Sequence, residues 1–511
     1  MNTYLTTMKQ EPDHDYKNHE ILTRMRRDLL PPYYWHSYAM SMAIQLLLTA
    51  IESKGGEFHP SGGKAAEGLF EGITSFNFTF ESALLCLSLL IILSIIFDKL
   101  GVRLGMPGSI FLFFSGLFFH LSGYSFELFP LEQLHVVALS ILLFFSGLSF
   151  ESCLIRTNKV LSNSIFLAIF GTFISMLFWL LYLGIGFSFF QVNLGYLKGV
   201  PSNIVWLTAV SAVFSLAVQD WNSFVFVSKK IKDFRSVLSN IFKVETSISA
   251  AISVAVAEIL VLIWLALSPE YASFANSSLL ISILRGIFIG SVSGLLLGFL
   301  LTSFIRYLLE SKAQLILAAV SFTFIGYSIS FFAVEQGGYL CALIMGIPTS
   351  LSYRKNSNED EIEFLSEQLE SLNIACEAIL FFVIGLGLQP SLFFAHLPVA
   401  LYAWVGVILI RPVTVSLFFR SKAVSTEERK ILSFWSPKGA ISMALIVTAP
   451  LLLEDTFGIK VSEILPESSK TFMSDVVCGA VIISLVFKAF AVPRLHNSIF
   501  SKLNSSQVEA L

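Results

Sequence analysis

Two short stretches, "SLAVQDWNS" (215–223) and "FWSPKGAIS" (434–442), decide how this chain is read. The first sets Gln219, Asp220, Asn222 and Ser223 inside an apolar run, and the second sets Pro437 and Gly439 around Lys438. The polar cluster in the first disturbs a helix, and in the second a proline removes a helix hydrogen bond while a glycine loosens the backbone, so both runs read as interrupted helices. In a membrane, the backbone groups freed at such a break must be satisfied by protein or by water. One interrupted run in each half of a chain points to an ion or solute site near the midplane. Each is followed by one further apolar run, consistent with two inverted repeats of three helices.

A membrane setting follows from composition. The 511 residues are 55% hydrophobic and 14% charged, with mean hydropathy +0.75, whereas soluble domains are about a quarter charged. Apolar runs near the roughly 20 residues that cross a bilayer as a helix lie at about 33–51, 79–97, 107–122, 132–150, 163–188, 202–227, 240–267, 279–305, 313–334, 337–352, 370–388, 392–419, 431–453 and 471–493. The expected fold class is therefore an all-α polytopic membrane protein of about 13–14 transmembrane helices, two of them discontinuous and crossing. If 33–51 crosses as a signal anchor, alternate connections carry nearly all the cations, among them Lys229, Lys230, Lys232 and Arg235. The opposite set holds only Lys54, Lys64, Lys198, Lys460 and Lys470. The positive-inside rule then puts both termini in the cytoplasm. Residues 1–32 read as a cytoplasmic tail, 52–78 as an external loop, 353–370 as an acidic loop with a short surface helix, and 496–511 as a second tail.

Enzyme chemistry finds no foothold. GxSxG, HExxH and Walker sequences are absent, and the five cysteines have unrelated spacings that suggest neither disulfides nor a metal site. No cofactor and no nucleic-acid partner are expected. Gly286, Gly290, Gly294 and Gly298 repeat every four residues, the spacing of close helix packing.

Charges inside the runs carry the functional information, because each costs about 2.5–3.5 kcal/mol at a helix centre and needs a partner or a wet cavity. They are Asp220, Glu245, Glu258, Arg285, Glu335, Glu377, Arg411, Lys438 and Lys488. Arg285, Glu335 and Lys488 lie close enough to run ends to snorkel to the interface. Glu245, Arg411 and Lys438 do not, and an ion pair of Glu245 with Arg411 is the simplest solution. Asp220 and Glu245 are the titratable groups nearest the first break.

These features resemble the monovalent cation:proton antiporters of the NhaP-like branch over about 79–495. The similarity rests on "RLGMPGSIFLFFSGLFF" (103–119), "LLFFSGLSFE" (142–151), "RSVLSNIFKVETSISAAISVAV" (235–256), "EQGGYLCALIMGI" (335–347), "FFVIGLGLQPS" (381–391), "RPVTVSLFF" (411–419) and "SFWSPKGAISMALIVTAPLL" (433–452). The resemblance implies a homodimer in the inner or plasma membrane. Its core, here 160–267 and 392–495, moves like an elevator against a dimerisation scaffold, here 79–159 and 268–391. It implies that Glu245 pairs with Arg411 as a brace and that Lys438 is the basic residue of the second break. The family's Asn-Asp pair falls on Ser249 and Ala250, so the aspartate that exchanges cation for protons is replaced. Asp220 then becomes the candidate titrating ligand, with Gln219, Thr246 and Ser249 as oxygen donors to Na+, K+ or Li+. The alternatives are a transporter on the same scaffold with other cargo or no proton coupling, and a membrane sensor that transports nothing.

Overall fold

The computed structural model describes residues 80–121, 131–150, 158–194, 202–231, 236–267, 277–308, 312–333, 337–354, 359–418, 424–446 and 471–508. All of them belong to one unit, Ile73–Leu511. The expected tail, anchor and loop over 1–78 lie outside the described residues, as do Glu335 and the side chain of Glu258.

The described regular elements are helices. In order they are α1 (Phe80–Leu104), α2 (Gly108–Leu121), α3 (Leu131–Leu148), α4 (Asn158–Phe166), α5 (Thr172–Leu194), α6 (Ser202–Ala217), α7 (Trp221–Ser228) and α8 (Ser236–Leu267). They continue with α9 (Ser277–Leu308), α10 (Lys312–Ala333), α11 (Gly337–Arg354), α12 (Glu359–Gly387), α13 (Pro390–Ala395), α14 (Leu397–Phe418), α15 (Thr426–Phe434) and α16 (Phe472–Val508). A π-helical turn, Leu167–Gly171, joins α4 to α5.

Seven described helices are long and apolar enough to cross a membrane, and α6 with α7 makes an eighth crossing bent by 46°. Three shorter apolar helices, Gly108–His120, Leu134–Leu148 and Gly337–Leu351, complete the set. Helix α11 shows why a run of apolar residues and a lipid-facing span differ. Its residues are nearly all buried, packed against α3, α9 and α10, so its 18 residues can include Pro348 and several small or polar side chains. The lipid-facing role falls to helices whose large apolar side chains point outward, such as Ile185, Phe288, Leu296 and Phe332.

Small residues set the closest approaches. A Cβ on Gly290 or Gly294 would lie 2.6 Å from the Gly337 carbonyl oxygen or 2.7 Å from that of Cys341. The glycine repeat on α9 thus seats α11 of the same chain, backbone against backbone. Between α1 and α2, Gly105 adopts φ +72° while the Met106 N–H reaches the Gly101 carbonyl at 2.9 Å, an end to α1 that glycine allows without strain.

Two expectations change. The acidic stretch is not a separate surface helix: from Glu359 onward it forms the first turns of α12, because nothing between Glu359 and Ile384 breaks a helix. Lys488 is not interfacial. It is 3% exposed in the middle of α16, and its ammonium donates to the Ser436 carbonyl.

Candidate functional site

The two interruptions face each other. Helix α6 stops at Ala217 and α7 begins at Trp221, leaving Val218, Gln219 and Asp220 outside helical geometry. Across from them, 435–439 is non-helical between α15 and a helical turn from 440. Direct hydrogen bonds join the strands of the crossing. The Asp220 N–H donates to the Pro437 carbonyl at 2.9 Å, and the Ser215 hydroxyl donates to the Ser442 carbonyl.

Backbone groups freed at the breaks are satisfied by side chains. Lys438 Nζ donates to the Val218 carbonyl at 2.6 Å, placing a cation at the C-terminal end of α6, where the helix dipole favours positive charge. Lys488 does the same for Ser436. Asp220 is the N-cap of α7 in extended geometry (φ −113°, ψ 128°) and accepts from the Ser223 N–H at 2.9 Å, the capping that the first turn of a helix requires. The first break is thereby closed on both sides, by Lys438 at the end of α6 and by Asp220 at the start of α7.

Asp220 is 1% exposed. The Ser223 hydroxyl lies 2.8 Å from Asp220 Oδ2 and 2.6 Å from the Lys438 carbonyl. Gly439 makes this possible: a Cβ there would sit 2.7 Å from Asp220 Cγ. Gln219 is placed beside Asp220, with its N–H donating to Ser249 Oγ at 3.2 Å and its Oε1 accepting from the Ser436 hydroxyl at 3.0 Å. Ser249 also donates to the Thr246 carbonyl at 3.3 Å. Asp220, Gln219, Ser249 and Lys438 therefore come together at the crossing. The Thr246 hydroxyl instead donates to the Lys243 carbonyl on its own helix, at 3.1 Å.

Glu245 and Arg411 meet side by side. Arg411 donates two bonds to the two Glu245 oxygens, the Nη2–Oε2 bond at 2.7 Å, and Arg411 Nε donates to the Leu432 carbonyl at 3.1 Å. This bidentate pair ties α8 to α14 beside the crossing. Aromatic packing fills the space between the breaks: Phe224 lies 4.7 Å from Phe242 and 4.8 Å from Trp435 between centroids. Glu377 is also buried. Its carboxyl hydrogen-bonds Asn222 and interacts with Asp220. Periodicity alone could not bring Glu377 to the break, because its helix is separated from α7 by more than 130 residues; the signal was its position in an apolar run.

Among the described residues, no group of His, Cys, Asp and Glu is arranged to hold a metal ion. Comparison with known proteins gives a family model described as "Sodium/hydrogen exchanger, transmembrane" that matches residues 86–497. The fold is similar to the sodium proton antiporter MjNhaP1 of Methanocaldococcus jannaschii. Against its structure at pH 8, identity is 17%, the TM-score is 0.58, and the match covers 80% of this chain and 99% of the other. Against a second structure, from electron microscopy, the values are 16%, 0.61, 82% and 98%. No curated protein matches the chain.

Proposed function

The chain belongs to the sodium/hydrogen exchanger family, a family of membrane transporters, and on that premise we propose that it exchanges a monovalent cation, Na+, K+ or Li+, for protons, with Asp220 as the group that holds proton and cation in turn. One observation carries the reading. The Ser223 hydroxyl has a single proton, yet it stands between two acceptors, Asp220 Oδ2 and the Lys438 carbonyl. Both contacts can be full hydrogen bonds at once when Asp220 carries a proton and donates to Ser223 Oγ, which then donates to the Lys438 carbonyl; with Asp220 ionised, the one hydroxyl proton is shared between the two acceptors. Loss of that proton leaves a buried carboxylate that attracts a cation. The two states of Asp220 are the two loads of an exchanger.

In this reading Ser249 and Ala250 replace the family's Asn-Asp pair, so a single break carboxylate does what two residues share elsewhere, and charge stoichiometry changes accordingly. Gln219 and Ser249 hold the break in shape and offer oxygens beside it. Glu245 and Arg411 act as a brace. The proposed moving core is 160–267 with 392–495, carried past a scaffold of 79–159 and 268–391 in a homodimer whose termini face the cytoplasm. Ala250, which cannot titrate, also favours a second reading: cation transport on this fold without proton coupling.

Proteoliposomes with a trapped pH dye and an acid interior test both. Under exchange, addition of Na+, K+ or Li+ dequenches the dye with wild type and fails to do so with Asp220→Asn. Cation flux with no dequenching supports the uncoupled reading, and neither signal from folded, inserted protein overturns both.

A further inference from the structure

We propose that the cation is coordinated in a small cavity between the first break and helices α3 and α12, with Ser146 Oγ and Asn373 Oδ1 as oxygen ligands alongside Asp220. The proposal rests on the exchange reading above and assigns the cation a definite place beside Asp220. The cavity is lined by Ser146, Asp220, Asn222 and Asn373 together with apolar side chains, and has room for about one water-sized occupant. Ser146 and Asn373 are each 2% exposed or less. Ser146 Oγ and Asn373 Oδ1 are both buried without a hydrogen-bond partner.

The Asn373 amide donates from Nδ2 to Asn222 Oδ1, which leaves its own oxygen as the end without a partner. A serine inside an apolar helix ordinarily donates to a carbonyl one turn back, as Ser140 does to Val136 at 2.7 Å. The Ser146 hydroxyl makes no such bond. Two unsatisfied buried oxygens facing a space of this size call for an occupant that supplies positive charge or a donor proton.

Charge selects the cation over water. Asp220 lines the cavity, and Glu377, one helical turn beyond Asn373 on α12, touches Asn222 and interacts with Asp220. The cation on the opposite segment, Lys438, has its ammonium on the Val218 carbonyl. Gln219 and Ser249 are engaged in hydrogen bonds with Ser436 and with each other. Oxygens able to replace the water around a dehydrated monovalent cation are thus concentrated on the α3 and α12 side. Because these ligands come from helices outside the two broken segments, the site is complete only while the first break rests against α3 and α12. Cation binding would therefore stabilise that arrangement.

The test uses the full chain. In proteoliposomes, Ser146→Ala and Asn373→Leu should each raise the half-saturating cation concentration roughly tenfold, the loss expected for one ligand contact, while the rate at saturating cation changes less than about twofold. Asn373→Asp, which keeps an oxygen in place, should retain saturation at or below the wild-type concentration; it guards against a leucine variant that fails to fold. Wild-type half-saturation in both Ser146→Ala and Asn373→Leu overturns the site and leaves the exchange reading standing. If wild type moves no protons for any cation, the exchange reading fails, and the unfolding temperature of purified protein titrated with Na+, K+ and Li+ decides the site by itself. A cation-dependent rise that Ser146→Ala removes supports it, and no rise in wild type overturns it.

Discussion

At Arg411 three hydrogen bonds hold one guanidinium inside the protein, two to Glu245 and one to the Leu432 carbonyl. Desolvating both charges is expensive, so the pair is a device for fixing geometry more than a source of net stability. Removing one partner is a different matter. Glu245→Gln or Arg411→Met should each cost about 3–5 kcal/mol, because a charge stays buried alone; the double replacement Glu245→Met with Arg411→Met should recover much of it. Unfolding temperatures in detergent, with all three variants side by side, check this. If Asp220 holds proton and cation in turn, as proposed, the two compete for one carboxylate. Below the pH at which that group half-protonates, the half-saturating cation concentration should climb toward tenfold per pH unit, whereas a site without competition gives a flat line. Initial antiport rates measured at several pH values decide between them. The Glu245 pair and the Asp220 break both stand out in the sequence as charges in apolar runs. That Gln219 and Ser249 touch was not legible, since one sits in the first break and the other on α8, 30 residues apart.

Elements meet where side chains are smallest. Gly439 lets the second break lie on the Asp220 carboxylate, and a methyl group there would have to push it aside. Gly439→Ala should keep the fold and lower the maximal exchange rate by about tenfold or more, since a displacement near 1 Å at a reacting group costs on that order or beyond; rates in proteoliposomes, together with an unchanged unfolding temperature, are the readout. Helix α9 meets α11 in the same manner. Gly294→Leu should separate two backbones and destabilise the protein by about 1–3 kcal/mol, seen as a fall in unfolding temperature with little effect on cation affinity. The four-residue glycine spacing announced this packing, but it does not name a partner. Any helix with a small-residue face would satisfy the same pattern, and only the tertiary structure identifies α11.

For the whole molecule, the proposed homodimer and orientation are open to direct measurement. Light scattering or native mass measurement of the purified protein should give about twice the 56.6 kDa of one chain. Reporters fused to either end should read the cytoplasmic side, as the distribution of Lys and Arg demands. A monomer would remove the scaffold role given to 79–159 and 268–391. Surface exposure is compatible with lipid around much of the described unit, with Phe332, Phe288 and Ile185 among the most exposed apolar residues.

The sequence by itself determined that this is an all-helical membrane protein, that two of its segments are broken, and which charges are too costly to sit in lipid unpartnered. Composition, proline and glycine act locally, so those conclusions need no neighbours. It did not determine that Lys488 is buried on Ser436, that α12 continues through its acidic start, or that Ser146, Asn373 and Glu377 gather near Asp220. These are contacts between helices distant along the chain. A helix in a bilayer has its backbone satisfied whichever face it presents, and the face it does present is fixed only by what packs against it.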